Sequence, residues 1–166
     1  MSDAGEGIVY IPIGVIRTPF KVPKGTPIQP PAARGAEGRV ELFPEYVDGL
    51  KDIEGFSHII LIYHFHLSGP PRLWVRPYMD DIERGVFATR APARPNPIGL
   101  SVVKLEGIEG NALHIRDVDV VDGTPLLDIK PYVPQFDGVP EAKIGWLEKR
   151  VHRLRHVADD GRFTGS

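Results

Sequence analysis

Proline constrains this chain more than any other residue type. Of its 17 prolines, six fall between Pro12 and Pro31, six between Pro70 and Pro97, and four between Pro125 and Pro140. Each internal proline removes a backbone donor and clashes with the preceding helical turn, so a helical bundle is excluded. The apolar segments occupy the gaps between the clusters, at residues 8–16, 38–43, 58–66, 98–106, 113–121 and 126–129. They are rich in Val and Ile, and several alternate apolar with polar residues, which predicts half-buried β-strands. Glu109-Gly110-Asn111 predicts a hairpin turn, and Asp122-Gly123 a second turn.

One stretch reads as a long helix, residues 141–158. There Ile144, Leu147, Val151, Leu154 and Ala158 recur at three- or four-residue spacing and form one apolar stripe. Residues 44–52 predict a shorter helical turn. Strands joined by Pro-rich loops, without strand–helix–strand alternation, predict a mainly β protein. The expectation is a single β-barrel domain over residues 1–166, with Pro-rich loops and a C-terminal helix. With 166 residues, 42% of them hydrophobic, the chain is long enough to bury one core. It has no cysteine, hence no disulfide, thiol nucleophile or thiolate metal site. No apolar run approaches the roughly 20 residues of a membrane span, and no signal-peptide layout opens the sequence. The expected location is the cytoplasm.

The formal net charge of −2 conceals segregation. Residues 17–39 and 141–158 are basic, whereas residues 40–66 are acidic. This predicts a basic face on an acidic body, although an ordinary solvated surface explains it equally well. No P-loop, no Rossmann glycine fingerprint, no zincin motif and no nucleophile elbow is present. His64 and His66 share a strand face, and Glu148, His152 and His156 fall on one line of the expected helix. Packing and solvation account for both groups more simply than a metal, and no metal is assigned.

Two segments concentrate polar groups on stiff backbone. Residues 85–101 read G-V-F-A-T-R-A-P-A-R-P-N-P-I-G-L-S. Its prolines fix φ and restrict the residues before them, so Arg90, Arg94 and Asn96 are held in place. Arginine offers a planar fork to a carboxylate or phosphate, and asparagine both a donor and an acceptor to a base edge. Residues 117–132 carry Asp117 and Asp119 on one strand face, and Asp128, Lys130 and Tyr132 on the next. Such carboxylates can accept from ribose hydroxyls or an exocyclic amine, and a purely structural Lys–Asp pair is an equal alternative.

The first segment resembles the pattern G-V-F-A-T-R-S-x-x-R-P-N-P-I-G-x-S of the TsaA-like, TrmO-type tRNA methyltransferases. Residues 119–132 resemble that family's D-x-V-D-G-T-P-x-x-D-I-K-P-Y block. Ile13-Gly14-Val15-Ile16-Arg17-Thr18-Pro19 and Gly55-Phe56-Ser57-His58 match as well, so the similarity covers residues 13–134. The resemblance implies a β-barrel, usually dimeric, that binds S-adenosylmethionine (SAM) without a Rossmann domain. It implies N6-methylation of the threonylcarbamoyl-adenosine just 3′ of the anticodon in threonine tRNAs. The partners expected are therefore tRNA and a second copy, with neither DNA nor membrane.

By the same resemblance, the cofactor-binding positions are Gln29, Pro30, Pro31, His66, Leu67, Arg90, Leu100, Asp117, Val118 and Asp119. Arg90 suits the methionine carboxylate, and the aspartates suit ribose hydroxyls or the adenine amine. Asn96, Asp128, Lys130 and Tyr132 are assigned to catalysis, and Arg94 to substrate binding. Methyl transfer needs neither metal nor covalent intermediate; in-line placement supplies much of the rate. The chain departs from the pattern at Ala91, where serine is usual. It also departs at the acidic residues 78–83, where a basic, glycine-containing stretch is common. Longer members continue into a further C-terminal domain. Methylation of another RNA or a small molecule, and a non-catalytic SAM- or RNA-binding barrel, are the alternatives.

Overall fold

Alternation of buried and exposed residues along six strands closes a barrel. A computed structural model describes residues 5–164. The barrel consists of β1 (Gly14–Arg17), β2 (Glu37–Leu42), β3 (His58–His64), β6 (Ile98–Glu109), β7 (Ala112–Arg116) and β8 (Thr124–Pro131). They run antiparallel in the order β1-β2-β7-β6-β3-β8 and close through β1 and β8. A two-stranded ribbon, β4 (Trp74–Val75) with β5 (Arg84–Gly85), lies outside the barrel. Among the described residues one α-helical turn, α1 (Pro134–Asp137), follows β8. Among the described residues no helix is long and apolar enough to cross a membrane.

β3 shows how the pattern works. Ile59, Leu61 and Tyr63 point into the barrel, while Ile60 and Ile62 face outward. Its neighbours keep register, with Leu61 opposite Ser101 of β6 and opposite Ile129 of β8. Ile16, Val40, Val103, Leu113, Ile115 and Leu126 complete the interior. Each such side chain stabilises the fold by about 1.5–3 kcal/mol. A second, smaller core joins Val75, Val86, Ala91, Ala93 and Phe163. It glues the signature segment to the end of the chain.

The predicted turns form: Gly110 follows β6 with φ of 61°, and Gly123 precedes β8 with φ of 83°. Residues 44–52 form a 3₁₀ helix over Pro44–Leu50. Three elements differ from expectation. The strand predicted at 8–16 begins only at Gly14, and Ile8, Val9, Tyr10 and Ile11 are exposed. Pro12 lies between them and β1, and no strand pairs with the earlier residues. The strand predicted at 113–121 ends at Arg116, because Asp117 takes φ of 65°. The turn is held by the Gly35 amide donating to Asp117 Oδ1 (2.6 Å) and the Asp117 amide donating to the Ala36 carbonyl (2.8 Å).

The expected α-helix at 141–158 is absent. In its place stand two 3₁₀ segments, Gly145–Lys149 and Val151–His156. Gly145 adopts φ of 57°, a conformation that ends helices. Trp146 Nε1 donates to the Ala88 carbonyl (2.8 Å), and Arg150, whose backbone separates the segments, reaches toward Asp80 (3.6 Å). These anchors override the helical stripe. Glu148 lies in the first segment and His152 and His156 in the second, with Arg150 between them, so the three do not share one helical line.

Candidate functional site

The two long motifs meet at one end of the barrel. A cavity of about 250 Å³ opens between the signature segment, residues 23–29, residues 119–124 and residues 159–164. A larger one, about 990 Å³, continues past Pro30, Pro31, Asp117 and Tyr132 to the 3₁₀ segments of the tail. Gln29, Arg90 and Leu100 line both. Arg90 Nη1 donates to Gln29 Oε1 (2.9 Å), a bond between residues far apart in the chain.

The floor of the smaller cavity is polar. Asp119 is buried and its Oδ1 accepts from Ser101 Oγ (2.5 Å). The Tyr63 hydroxyl lies 2.8 Å from the same Ser101 oxygen. Burial raises the Asp119 carboxyl from 3.8 to about 7, opposed by the Ser101 hydrogen bond and by the Arg90 charge. Burial likewise pushes the Tyr63 phenol far above its ordinary range, so it remains a neutral hydroxyl. Gly99 makes this arrangement fit: a Cβ there would overlap the Tyr63 ring and meet Phe65. The two rings pack edge to face, with centroids 5.4 Å apart.

Of the residues expected to hold cofactor, His66, Leu67 and Asp119 line the smaller cavity; Pro30, Pro31 and Asp117 line the larger. Val118 lies in the core, fully buried, and lines neither cavity. β3 ends at His64, so His66 sits in the following turn rather than beside His64 on a strand. Burial, and then His64, lower the His66 pKa, favouring a neutral imidazole.

Of the residues assigned to the acceptor, Tyr132 lines the larger cavity, with its ring near His58. Arg94 lines the smaller, but its Nη1 donates to the Thr89 and Ala91 carbonyls and so stiffens the signature segment. Asp128 and Lys130 pair with each other at 2.8 Å on β8 and line neither cavity. Asn96 is exposed and also stands off both.

Sequence reasoning assigned no role to Tyr63, Ser101, Tyr78, Trp146, Asp159 or Phe163. Ser101 was legible, since it closes the signature segment and alternation turns it inward. Asp159 and Phe163 carry no local signal, because tertiary pairing alone brings the end of the chain to the cavity. The acidic residues 78–83 also acquire a meaning. Asp80 is buried, and Oδ2 accepts from Arg84 Nη2 (2.7 Å) while Oδ1 accepts from the amides of Asp81 and Ile82. The Arg84 hydrogen bond holds its carboxyl below the usual range. Asp80 is therefore an internal clamp.

A family model described as the tRNA-methyltransferase O N-terminal domain matches residues 15–138. A probable S-adenosyl-L-methionine-binding protein of Pyrococcus abyssi is 65% identical over 94% of this chain and 85% of its own length. The tRNA (adenine(37)-N6)-methyltransferase of Escherichia coli is 38% identical over 82% of this chain, which spans 62% of that enzyme. The crystal structure of TrmO from Pseudomonas aeruginosa superimposes with a TM-score of 0.72 at 44% identity, covering 84% of this chain and 62% of that one.

Proposed function

The chain belongs to the tRNA-methyltransferase O family, and from that premise we propose that it transfers a methyl group from S-adenosylmethionine to N6 of an adenosine in tRNA. The acceptor proposed is the threonylcarbamoyl-adenosine at position 37 of threonine tRNAs, position 37 being the one in the name of the Escherichia coli relative. One observation carries the reading: the wall shared by the two cavities joins Gln29 to Arg90 and Leu100 of the signature segment. That gives the donor a seat and leaves adjoining space for a base.

The side chains suit S-adenosylmethionine. Arg90 supplies a fork for a carboxylate, Asp119 an acceptor for hydroxyl or amine, and Leu67, Leu100 and Pro30 apolar walls. The bound donor supplies an electrophilic methyl on its sulfonium. This chain's residues then have to orient it and exclude water. Arg94 fixes the loop that carries Arg90, and the neutral Tyr63–Ser101–Asp119 chain fixes the floor without placing a full charge there below about pH 7. Tyr132 is proposed to stack on or hydrogen-bond the acceptor base. Asn96, Asp128 and Lys130 are proposed to touch the acceptor from the outer barrel face. A homodimer working in the cytoplasm completes the proposal.

A second reading, a barrel that binds SAM without transferring its methyl, draws on the Pyrococcus abyssi relative, which is named only as a binding protein. Methylation of a different acceptor draws on the acidic residues 78–83, where Asp80 is clamped by Arg84 while Asp81 and Glu83 stay exposed. Mass spectrometry of tRNA nucleosides decides. Loss of methylated threonylcarbamoyl-adenosine in a deletion strain, restored by the chain, supports transfer. An unchanged level refutes it, and SAM binding with no transfer to any tRNA favours the second reading.

A further inference from the structure

Residues 158–164 are strapped across the small cavity. The Gly25 amide donates to the Asp159 carbonyl (2.6 Å), and the Asp159 amide donates to the Thr26 carbonyl (2.8 Å). Farther on, the Gly69 amide donates to the Phe163 carbonyl (2.8 Å), and Ser68 bridges Thr164 as in a short antiparallel pair. Phe163 is buried against Tyr78, centroids 5.0 Å apart, and Arg162 Nη1 donates to the carbonyls of Arg76 and Pro77. This strap lies beyond the residues matched by the family model.

The strap delivers one carboxylate to the cavity wall. Asp159 lines it, and Oδ1 accepts from the Gly161 amide (2.7 Å). Among the described residues no cation lies in ion-pair range of the Asp159 carboxylate, because Arg162 pairs with Asp160 instead. The buried Tyr78 hydroxyl stands beside the Asp159 carboxyl, short of full hydrogen-bond geometry. Burial raises the Asp159 pKa, and a cation seated against the carboxylate would lower it again. The methionine half of S-adenosylmethionine carries an ammonium and a sulfonium beside one carboxylate. The Asp159 carboxylate and the Arg90 guanidinium present the opposite charges on the walls of the same cavity.

We infer that Asp159, carried by the C-terminal strap, is a donor-binding residue that accepts a cationic centre of the methionine half of S-adenosylmethionine. This rests on the proposed function, since it presupposes that donor. The test is calorimetry of the full chain with SAM, S-adenosylhomocysteine and methylthioadenosine, comparing wild type with D159N. Asparagine keeps the acceptor for the Gly161 amide, and melting curves check the fold.

SAM affinity is expected to fall about tenfold to hundredfold, the size of one charge-assisted hydrogen bond, with methylthioadenosine unchanged. An equal fall for S-adenosylhomocysteine identifies the ammonium as the partner, and a fall for SAM alone the sulfonium. Unchanged SAM affinity overturns the inference. So does an equal loss for all three ligands, which would mark a wall residue or a contact to the nucleoside half. Wild type that binds no SAM instead removes the proposed function itself.

Discussion

Asp119 illustrates how one buried residue sets a pH response. Its carboxyl titrates near 7 in the folded chain because burial disfavours the charge, against an ordinary value of 3.8. The folded state therefore holds its proton more tightly than the unfolded state. This contribution to stability is complete below the ordinary value and is lost as pH rises through about 7. Denaturant titrations at about pH 5 and about pH 8 will show wild type losing stability relative to Asp119→Asn. Asparagine keeps an acceptor for Ser101 and has no proton to lose. The comparison with the variant removes the opposing contributions of Asp80 and Asp122, whose pKa values are lowered. A difference that is flat with pH would show that Asp119 is hydrated in the folded state.

Gly99 belongs to the same cluster but acts through space rather than charge. Its missing side chain is where the Tyr63 ring lies, so Gly99→Ala must displace Tyr63 or bend β6. Overpacking of this kind costs about 1–3 kcal/mol, which urea unfolding will read directly. Displacing Tyr63 also breaks its contact with Ser101, so SAM affinity is expected to fall in the variant even where it remains folded. Normal affinity would remove the Tyr63–Ser101–Asp119 chain from the site.

At the level of elements, the sequence spoke clearly where periodicity and local turns agree. β2, β3 and the β6–β7 hairpin were legible because Val and Ile alternate and Gly110 permits the turn. The tail shows why alternation of the helical kind is weaker evidence. Leu147, Val151 and Leu154 do line the larger cavity, whereas Ile144 is exposed. Gly145, Trp146 and Arg150 nevertheless hold the backbone in short 3₁₀ turns, and no local pattern announces those long-range anchors.

The strap at 158–164 was illegible for the same reason: it has only bridges to Pro27 and Ser68, not a strand pattern. Its main fastening is Arg162. Arg162→Ala removes the donors to the Arg76 and Pro77 carbonyls and the pair with Asp160. Hydrogen exchange at Gly25 and Gly69, whose amides bond the strap, is then expected to speed up about tenfold or more, while β3 amides stay protected. Unchanged exchange would mean that Phe163 alone fixes the strap.

Across the whole molecule, the net charge of −2 opposes RNA binding as a sum, so attraction must come from arrangement. The acidic residues 40–54 lie on β2 and the 3₁₀ turns that follow, away from both cavities. Arg34, Arg90 and Lys104 line the larger cavity, and the basic residues of the tail flank it. Of the basic segment 17–39, Arg34 stands at the end of the barrel that carries the site, whereas Arg17 and Arg39 pair with Glu41 of the acidic segment, a meeting that sequence order alone could not show. A tRNA approaching that end releases counterions, so its affinity is expected to fall linearly in log–log terms as salt rises. Arg34→Ala and Lys104→Ala should each lower that slope by about one and weaken binding to every tRNA alike. The Lys104 effect should be the smaller, because Glu106 sits 3.5 Å from its ammonium. SAM affinity should be unaffected by Lys104→Ala, since that residue lines only the larger cavity. Salt-independent tRNA binding would place the RNA on another face of the barrel and detach the basic end from the proposed reaction.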